Sequence, residues 1–272
     1  MKFTTVAYIS LAVIASLYVT IMLRSWYLHS ALPSDPVKLK LPQFPVDSKI
    51  AIQTYVDRSK IPGKVGDAWD MFAPEYTRYV FDDADIRAML QSHFPPIVLE
   101  EFEKIQNGAH KADLFRYCAL YLFGGLYMDI KTELTKPLRD IFTDPQKMYV
   151  VISDISPGTI YNGIIYTPPG NPIMYDLILQ AVRSNKDKLA KDYFLFIRYM
   201  HDLIRDKYLL NGKFQDGVNK TIGTAPDIYV LKETAYSKEE CGNAMDRYKL
   251  CSWIRDHSAM VIKTRYPDYP WH

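Results

Sequence analysis

The sequence is poor in cysteine and has no clustered positive charge, and both features exclude classes of protein. Only three cysteines occur in 272 residues, and no two of them form a CxxC pair, which argues against a zinc site. The 33 basic and 31 acidic residues are interspersed, so the net charge is only +2 and no basic stripe forms. Nucleic-acid binding is therefore disfavoured. A P-loop, a nucleophile elbow and a metal-type histidine cluster are also missing.

The three cysteines divide into one apolar position and one polar pair. Cys118 lies in an apolar run and is predicted to be a buried small side chain. Cys241 and Cys251 bracket a polar loop. They would form a disulfide in an oxidising compartment and two free thiols in a reducing one, and the sequence leaves both possibilities open.

The amino terminus carries the longest uncharged run of the chain. Between Lys2 and Arg24 lie 21 residues without charge. As a helix they would extend about 31 Å, which matches the hydrocarbon core of a bilayer. The run is longer than the apolar core of a cleaved signal peptide, the rival interpretation. We therefore predict a signal anchor over residues 1–29, and a Pro-rich stem over residues 30–47.

The orientation of this predicted anchor is not settled by charge. Basic residues are more frequent after the span than before it, which leans against a luminal domain, although long domains translocate largely regardless of charge. The acceptor sequon Asn219-Lys220-Thr221 favours the lumen. We predict a single-pass type II protein of the Golgi or another secretory-pathway lumen.

From residue 48 onward, short apolar runs alternate with helical patterns. Strands are predicted at 49–53, 79–81 and 149–152, and helices at 65–72 and from residue 85. This alternation predicts an α/β domain over residues 48–272 with a largely parallel sheet, in which ligands bind at the carboxyl ends of strands.

The most informative segment runs from residue 107 to residue 134. Residues 109–123 are predicted to form a helix that ends at Gly124-Gly125, and Asp113 and Arg116 share one face of it. On their own, these two side chains would be an ordinary ion pair along a helix.

A buried strand, residues 126–128, is predicted next and ends in charged residues. Asp129, Lys131 and Glu133 occupy alternate positions, which would place the three charges on one face if the strand continued. Asp154 follows another predicted strand and is a candidate for binding acceptor hydroxyls or acting as a base, or else an ordinary loop residue. A site is therefore expected at this edge of the sheet.

This segment resembles glycosyltransferase family 32, whose members carry a DXD sugar-binding motif, and the related glucosylating toxin transferases. The resemblance lies in Lys111-Ala112-Asp113-Leu114-Phe115-Arg116-Tyr117 followed by Gly124-Gly125-Leu126-Tyr127-Met128-Asp129-Ile130-Lys131. Weaker similarities occur at 52–55, 161–165 and 224–226, so that the resemblance spans about residues 48–265. Initiating α-1,6-mannosyltransferases and inositol phosphoceramide mannosyltransferases belong to this family.

The resemblance implies a GT-A fold, a Rossmann-like α/β/α sandwich, and a set of site residues. The implied donor-binding residues are Gln53, Asp113, Arg116, Tyr127, Asp129, Lys131 and Asn162. The implied metal ligands are Asp129, Glu133 and His257, although His257 would also fit an ordinary surface loop. The candidate catalytic residues are Asp129 and Asp154.

One departure from the family pattern concerns the metal. Lys131 stands where the second Asp of the DXD motif normally ligates Mn²⁺ or Mg²⁺. Three interpretations remain open: Glu133 takes over the metal with Asp129 and His257, Lys131 itself neutralises the diphosphate, or the site is inactive. An active site needs a cation there, because the departing nucleoside diphosphate gains negative charge.

The function implied by the resemblance is hexosyl transfer. The donor would be GDP-mannose or a UDP-hexose, the acceptor a hydroxyl of a glycan or lipid, and the anomeric configuration would be retained. The alternative is a catalytically inactive relative that binds a nucleotide-sugar, which the lysine at position 131 motivates. An unrelated α/β domain, such as a phosphatase, is disfavoured because its motifs are missing.

Overall fold

The computed structural model describes residues 49–235, 252–266 and 268–269, together with positions 16, 19, 20, 22 and 23. The predicted stem, Cys241 and Cys251 lie outside the described residues, as does nearly all of the predicted anchor. Within the described part of the chain, no helix is both long enough and apolar enough to cross a membrane.

Ten strands form a single mixed sheet in the described ranges. They are β1 Lys49–Thr54, β2 Tyr76–Phe81, β3 Gly125–Met128, β4 Glu133–Leu134, β5 Met148–Ser153, β6 Ile164–Thr167, β7 Gly217–Asn219, β8 Ile228–Ala235, β9 Ser252–Asp256 and β10 Ala259–Lys263. Their order is β2-β1-β3-β6-β5-β8-β9-β10-β4, with β7 paired to β8 beside this path. The predicted α/β class is confirmed.

The predicted predominance of parallel pairing is wrong. Strand β1 pairs in parallel with β2 and β3, and β5 pairs in parallel with β8. Strand β6 lies antiparallel between β3 and β5, and the remaining pairings of the described strands are antiparallel as well. The alternation of apolar runs in the sequence did not reveal that β6 and the β9–β10 hairpin reverse direction.

Seven α-helices accompany the sheet in the described ranges. They are α1 Gly63–Phe72, α2 Asp83–His93, α3 Pro96–Glu103, α4 Gly108–Phe123, α5 Pro172–Arg183, α6 Lys186–Lys191 and α7 Leu195–Leu203. The buried apolar residues form two clusters: one includes the inner faces of α2 to α7, and the other includes those of α1. The sheet is therefore covered on both faces, as its continuous apolar runs require.

Helix α4 is the central element of the fold. It begins at Asn107, whose side chain accepts a hydrogen bond from the backbone N–H of Ala109 at 2.9 Å. It ends at Gly124, which has φ 63° and whose Cβ, if present, would lie 2.5 Å from the backbone nitrogen of Pro169. The predicted helix over residues 109–123 is thus confirmed, and so is the burial of Cys118.

The parallel strands bring their carboxyl ends to one edge of the sheet. Because β1, β3, β5 and β8 run in the same direction, Thr54, Asp129, Ser153 and Glu233 all come to this edge. Strand β9 runs the opposite way, so its last residues and the following His257 lie at the other edge, beside the start of β8.

The sequon asparagine lies in β7 and is buried. The amide nitrogen of Asn219 donates hydrogen bonds to the carbonyls of Gln215 at 2.7 Å and Gly217 at 2.9 Å. Its amide oxygen accepts one from the backbone of Gln215 at 2.8 Å. A side chain held in this way leaves little room for a glycan in the folded protein, and the luminal location stays a prediction from the sequence.

Candidate functional site

The carboxyl edge of the sheet opens into a cavity of about 730 Å³. A volume of this size is typical of a site for a small organic ligand. Its polar wall contains Asp113, Arg116, Tyr127, Asp129, Lys131, Asn162, Ser153 and Glu233. Aromatic side chains form much of the remaining wall, namely Tyr55, Tyr161, Tyr193, Phe194 and Tyr269.

Arg116 is buried at the centre of the polar wall and connects two carboxylates. Its Nη2 atom lies 3.2 Å from Oδ1 of Asp113 and 3.5 Å from Oδ1 of Asp129. The guanidinium carbon lies 4.3 Å from the centre of the Tyr127 ring, which adds a cation–π contact. The helix α4 and the end of β3 are therefore joined through one charged side chain.

The rest of the guanidinium is held by the backbone and by Asn162. Nε of Arg116 donates to the carbonyl of Ala112 at 3.1 Å, and Nη1 donates to the carbonyl of Asn162. The amide nitrogen of Asn162 donates to Oδ1 of Asp113 at 2.8 Å. We refer to Asp113, Arg116, Tyr127, Asp129 and Asn162 as the Arg116 cluster. The structure brings these five predicted donor-binding residues together at one cavity wall.

The two acids of the Arg116 cluster differ in their proton affinity. Burial raises the pKa of Asp113 above its ordinary value, and Arg116 only partly opposes this effect. Burial also acts to raise the pKa of Asp129, but Arg116, Lys131 and the hydroxyl of Tyr127 together outweigh it, so that this pKa is lowered. Of these two acids, Asp129 is therefore the more firmly ionised.

Asp129 is placed by a turn and not by a continuing strand. Its backbone N–H donates to the carbonyl of Gly163 at 2.8 Å, and its own carbonyl accepts from Thr132 at 2.9 Å. The chain thus turns at residues 130–131, and Lys131 folds back so that its Nζ lies 3.4 Å from Oδ2 of Asp129. The Tyr127 hydroxyl donates to Oδ1 of Asp129 at 3.1 Å.

The turn separates Glu133 from the cavity. Because residues 129–133 are not one extended strand, the predicted common face of Asp129, Lys131 and Glu133 does not exist. Glu133 pairs instead with Lys263 at 3.0 Å, across the β4–β10 ladder. It is not among the residues that line the cavity.

Three other predicted site residues also lie away from the cavity wall. His257 is exposed at the opposite edge of the sheet, with Nε2 lying 3.4 Å from the hydroxyl of Tyr229. Gln53 is fully buried, and its amide nitrogen donates to the carbonyl of Met128 at 3.2 Å. Asp154 follows Ser153 but is exposed and does not line the cavity.

Sequence reasoning missed Glu233, a carboxylate of the cavity wall. The residue is 8% exposed, and Oε1 accepts a hydrogen bond from Oγ of Ser252 at 2.6 Å. In the part of the chain that the structure describes, no basic side chain forms an ion pair with it. The signal was available, because Lys232 and Glu233 end the apolar run at 228–231 just as Asp129 ends its own strand.

The residues present do not fit a divalent cation at the position that a DXD motif provides. Both oxygens of Asp129 already face a cation, Arg116 on one side and Lys131 on the other. The other two predicted ligands, Glu133 and His257, are elsewhere. Among the residues that the structure describes, no three His, Cys, Asp or Glu side chains form a group that could hold a metal.

Comparison with known families identifies the region that carries this site. Residues 64–148 match the family model described as a glycosyltransferase sugar-binding region containing a DXD motif. These residues include helix α4 and strand β3, and hence Asp113, Arg116 and Asp129. Residues 64–148 are thus similar to a glycosyltransferase sugar-binding region. The resemblance inferred from residues 111–131 is confirmed.

Curated relatives agree with this identification over part of the chain. The uncharacterized glycosyltransferase L373 of Acanthamoeba polyphaga mimivirus is 31% identical over 105 residues, 37% of this chain and 39% of the relative. The inositol phosphoceramide mannosyltransferase 3 of Schizosaccharomyces pombe is 27% identical over 121 residues, 44% and 31% of the two chains. The initiation-specific alpha-1,6-mannosyltransferase of Saccharomyces cerevisiae is 33% identical over 69 residues, 25% and 14%. The chain thus spans less than half of the length of these relatives.

A solved structure, the PaToxG glycosyltransferase, also resembles the chain. It covers 71% of this chain and 77% of its own length at 15% sequence identity, with a TM-score of 0.42. A score at this level does not establish a shared fold.

Proposed function

We propose that this protein is a glycosyltransferase that transfers a hexose from a nucleotide-sugar to a hydroxyl group of a glycan or lipid. The observation that carries this proposal is the Arg116 cluster, which faces a cavity of ligand size and whose members other than Asn162 lie within the matched residues 64–148. Carboxylates accept hydrogen bonds from sugar hydroxyls, and a buried arginine fixes both carboxylates before the ligand arrives.

The reaction would exchange one bond at the sugar for another. The bond between the anomeric carbon and the diphosphate oxygen breaks, and its electron pair leaves with the nucleoside diphosphate. The acceptor oxygen forms the new bond to the same carbon, and the hydroxyl proton passes to a base. Asp113 and Asp129 would orient the donor sugar, since precise positioning supplies much of the rate enhancement of such transfers.

Glu233 is our candidate for the acceptor side of the reaction. It is a buried wall carboxylate that, unlike Asp113 and Asp129, forms no ion pair among the described residues, and its hydrogen bond from Ser252 leaves acceptor capacity on the carboxylate. Glu233 lines the cavity, where an acceptor hydroxyl can come within hydrogen-bond reach of it, whereas the exposed Asp154 does not line the cavity. We therefore place the base at Glu233 instead of at the residue selected from the sequence.

Finer features of the function rest on the relatives and on the sequence. Two of the relatives are named as mannosyltransferases, which makes GDP-mannose the first donor to test, before UDP-glucose and UDP-galactose. Retention of anomeric configuration and a GT-A fold are carried over from the family resemblance. The membrane anchor over residues 1–29 and the Golgi or other secretory location are proposals from the sequence.

A donor screen tests this function. The full chain, in detergent micelles, is incubated with each of the three donors, and the release of nucleoside diphosphate is followed. Release from at least one donor is the expected result, and NMR of the first product formed in the presence of acceptor reports its anomeric configuration. Binding of a nucleotide-sugar without any release would favour the inactive relative, and failure to bind any of them would contradict the proposal.

A further inference from the structure

Three cationic side chains line the cavity, and the charged groups of two of them already contact other groups of the protein. Arg116 uses Nε, Nη1 and Nη2 on the backbone and on the two acids of its own cluster. Lys111 extends toward helix α3, with Nζ lying 3.7 Å from Glu103 and 4.9 Å from the centre of the Phe102 ring. Neither side chain is placed to meet an incoming anion in the cavity.

Lys131 differs from both of them. Its side chain is 25% exposed and lines the cavity, and among the described residues it forms an ion pair with Oδ2 of Asp129 at 3.4 Å. An ammonium group has three N–H donors, so that two remain for a ligand. Two hydrogen bonds fix the backbone around Lys131. The backbone N–H of Thr132 donates to the carbonyl of Asp129, and that of Tyr266 donates to the carbonyl of Lys131.

A divalent cation at this position would compete with Lys131 for the same carboxylate oxygen. It would also stand within a few ångströms of the ammonium group, where like charges repel strongly in a low-dielectric wall. A DXD motif would supply the second carboxylate ligand of the metal at position 131, and this chain has a lysine there. The charge that the family obtains from a metal ion is thus already present here as a side chain.

We propose that Lys131 supplies the positive charge for the diphosphate of the donor, so that the site binds a nucleoside diphosphate without a divalent cation. This inference rests on the proposed glycosyl transfer. As the bond from the anomeric carbon to the diphosphate oxygen breaks, the electron pair moves to that oxygen, and the ammonium of Lys131 donates hydrogen bonds to the diphosphate. The acceptor proton passes to Glu233, so charge and atoms balance without a metal.

Calorimetric binding of GDP and UDP to the full chain tests the inference, first in EDTA and then in Mn²⁺. For the unaltered protein, the two dissociation constants of the preferred nucleotide are expected to agree within about twofold, whereas a metal-dependent site would lose at least about tenfold in EDTA. The second result would overturn the inference and leave the proposed function intact. Failure of both nucleotides to bind in either buffer would contradict the proposed function itself.

Variants at position 131 separate the charge of Lys131 from its shape. Lys131→Met keeps most of the apolar stem and is expected to weaken binding by about tenfold or more, whereas Lys131→Arg keeps the charge and should stay within about threefold. The matched control is Lys136→Met, which removes an exposed lysine five positions away. Unchanged affinity in Lys131→Met would overturn the inference, and thermal unfolding checks that each variant is folded.

A gain of metal binding provides a readout that does not depend on activity. Lys131→Asp restores two acids at the spacing of a DXD motif. Electron paramagnetic resonance of Mn²⁺ is expected to show binding to Lys131→Asp in the presence of the nucleotide and none to the unaltered protein. Equal Mn²⁺ binding by the two proteins would contradict the inference.

Discussion

Two acid–base pairs with the same spacing lie on neighbouring helices and behave differently. One pair consists of Glu101 on α3 and Lys104, which directly follows that helix, at 2.9 Å. The other consists of Asp113 and Arg116 on α4, also three residues apart, at 3.2 Å. In both pairs the acid is buried. The base of the first pair is 54% exposed, whereas that of the second is 4% exposed and contacts another acid, Asp129. Burial of the base, and not the spacing, distinguishes a site from an ordinary ion pair.

The second contact of each acid makes the same distinction. Glu101 is also reached by Lys186 at 3.1 Å, so that the pair joins α3 to the start of α6 and points away from the cavity. Asp113 is reached by Asn162, and the Arg116 cluster faces the cavity. The first arrangement closes a gap between helices, and the second presents ionised groups to a ligand.

Removal of the buried base should have the largest effect. Arg116→Met leaves Asp113 and Asp129 without their shared counterion, and breaking a buried ion pair in this way costs about 3–5 kcal/mol of unfolding free energy. Urea denaturation measures this loss, and donor turnover should disappear with it. A loss below about 1 kcal/mol would show that the two acids do not depend on Arg116.

Glu233→Gln should lower turnover by about 100-fold, because a positioned base contributes this order of rate. Nucleotide binding is expected to stay unchanged, since Glu233 is not part of the Arg116 cluster. The matched control is Asp154→Asn, which alters an exposed acid one residue beyond strand β5. If Asp154→Asn lowers turnover and Glu233→Gln does not, the base assigned from the sequence is correct and ours is wrong.

Substitution of Glu101, the acid of the pair at α3, should lower the stability of the protein without changing donor turnover. Glu101→Gln removes the carboxylate that holds Lys104 and Lys186 and should cost about 1–2 kcal/mol of unfolding free energy. Turnover of the preferred donor should equal that of the unaltered protein. A loss of turnover comparable with that of the Arg116 variant would erase the distinction between the two pairs.

The two acids bound to Arg116 should differ in their effect on acid stability, and this is the smallest effect. The pKa of Asp129 is below its ordinary 3.8, so Asp129 stabilises the fold above the pKa of the unfolded chain, and this stability is lost as the pH falls through the native pKa. The pKa of Asp113 is raised, which gives the opposite sign. Between pH about 5 and about 2, Asp129→Asn should lose less stability than the unaltered protein, and Asp113→Asn more. If both substitutions changed the pH dependence of the unfolding free energy in the same direction, this prediction would be contradicted.

The sequence predicted the local elements of the site well. The paired glycines at 124 and 125 mark the end of helix α4, and the apolar strand that stops at Asp129 marks the edge of the sheet. These signals are local, because capping residues and the end of an apolar run act on their immediate neighbours. The resemblance then made an ordinary helix pair into a site hypothesis, and the pair lies within the matched residues 64–148.

The residues that the sequence misplaced depend on features that are not local. Glu133 was assigned to the face of Asp129 because a continuing strand was assumed, and the turn at residues 130–131 breaks that period. His257 was assigned to the site because it occurs late in the chain, but β9 runs antiparallel to β8 and carries it to the opposite edge. Glu233 was missed because strand order alone brings the end of β8 beside the end of β5.

Donor turnover by Asp129→Ala, compared with Asp140→Ala, tests the central claim most directly. Asp129 is the ionised acid at which Arg116, Lys131 and Tyr127 meet, whereas Asp140 is an exposed acid outside the cavity. We predict that Asp129→Ala lowers the release of nucleoside diphosphate by at least about 100-fold while its thermal unfolding stays cooperative, and that Asp140→Ala is unchanged. Turnover that survives in a folded Asp129→Ala protein would contradict the assignment of this cavity as the donor site.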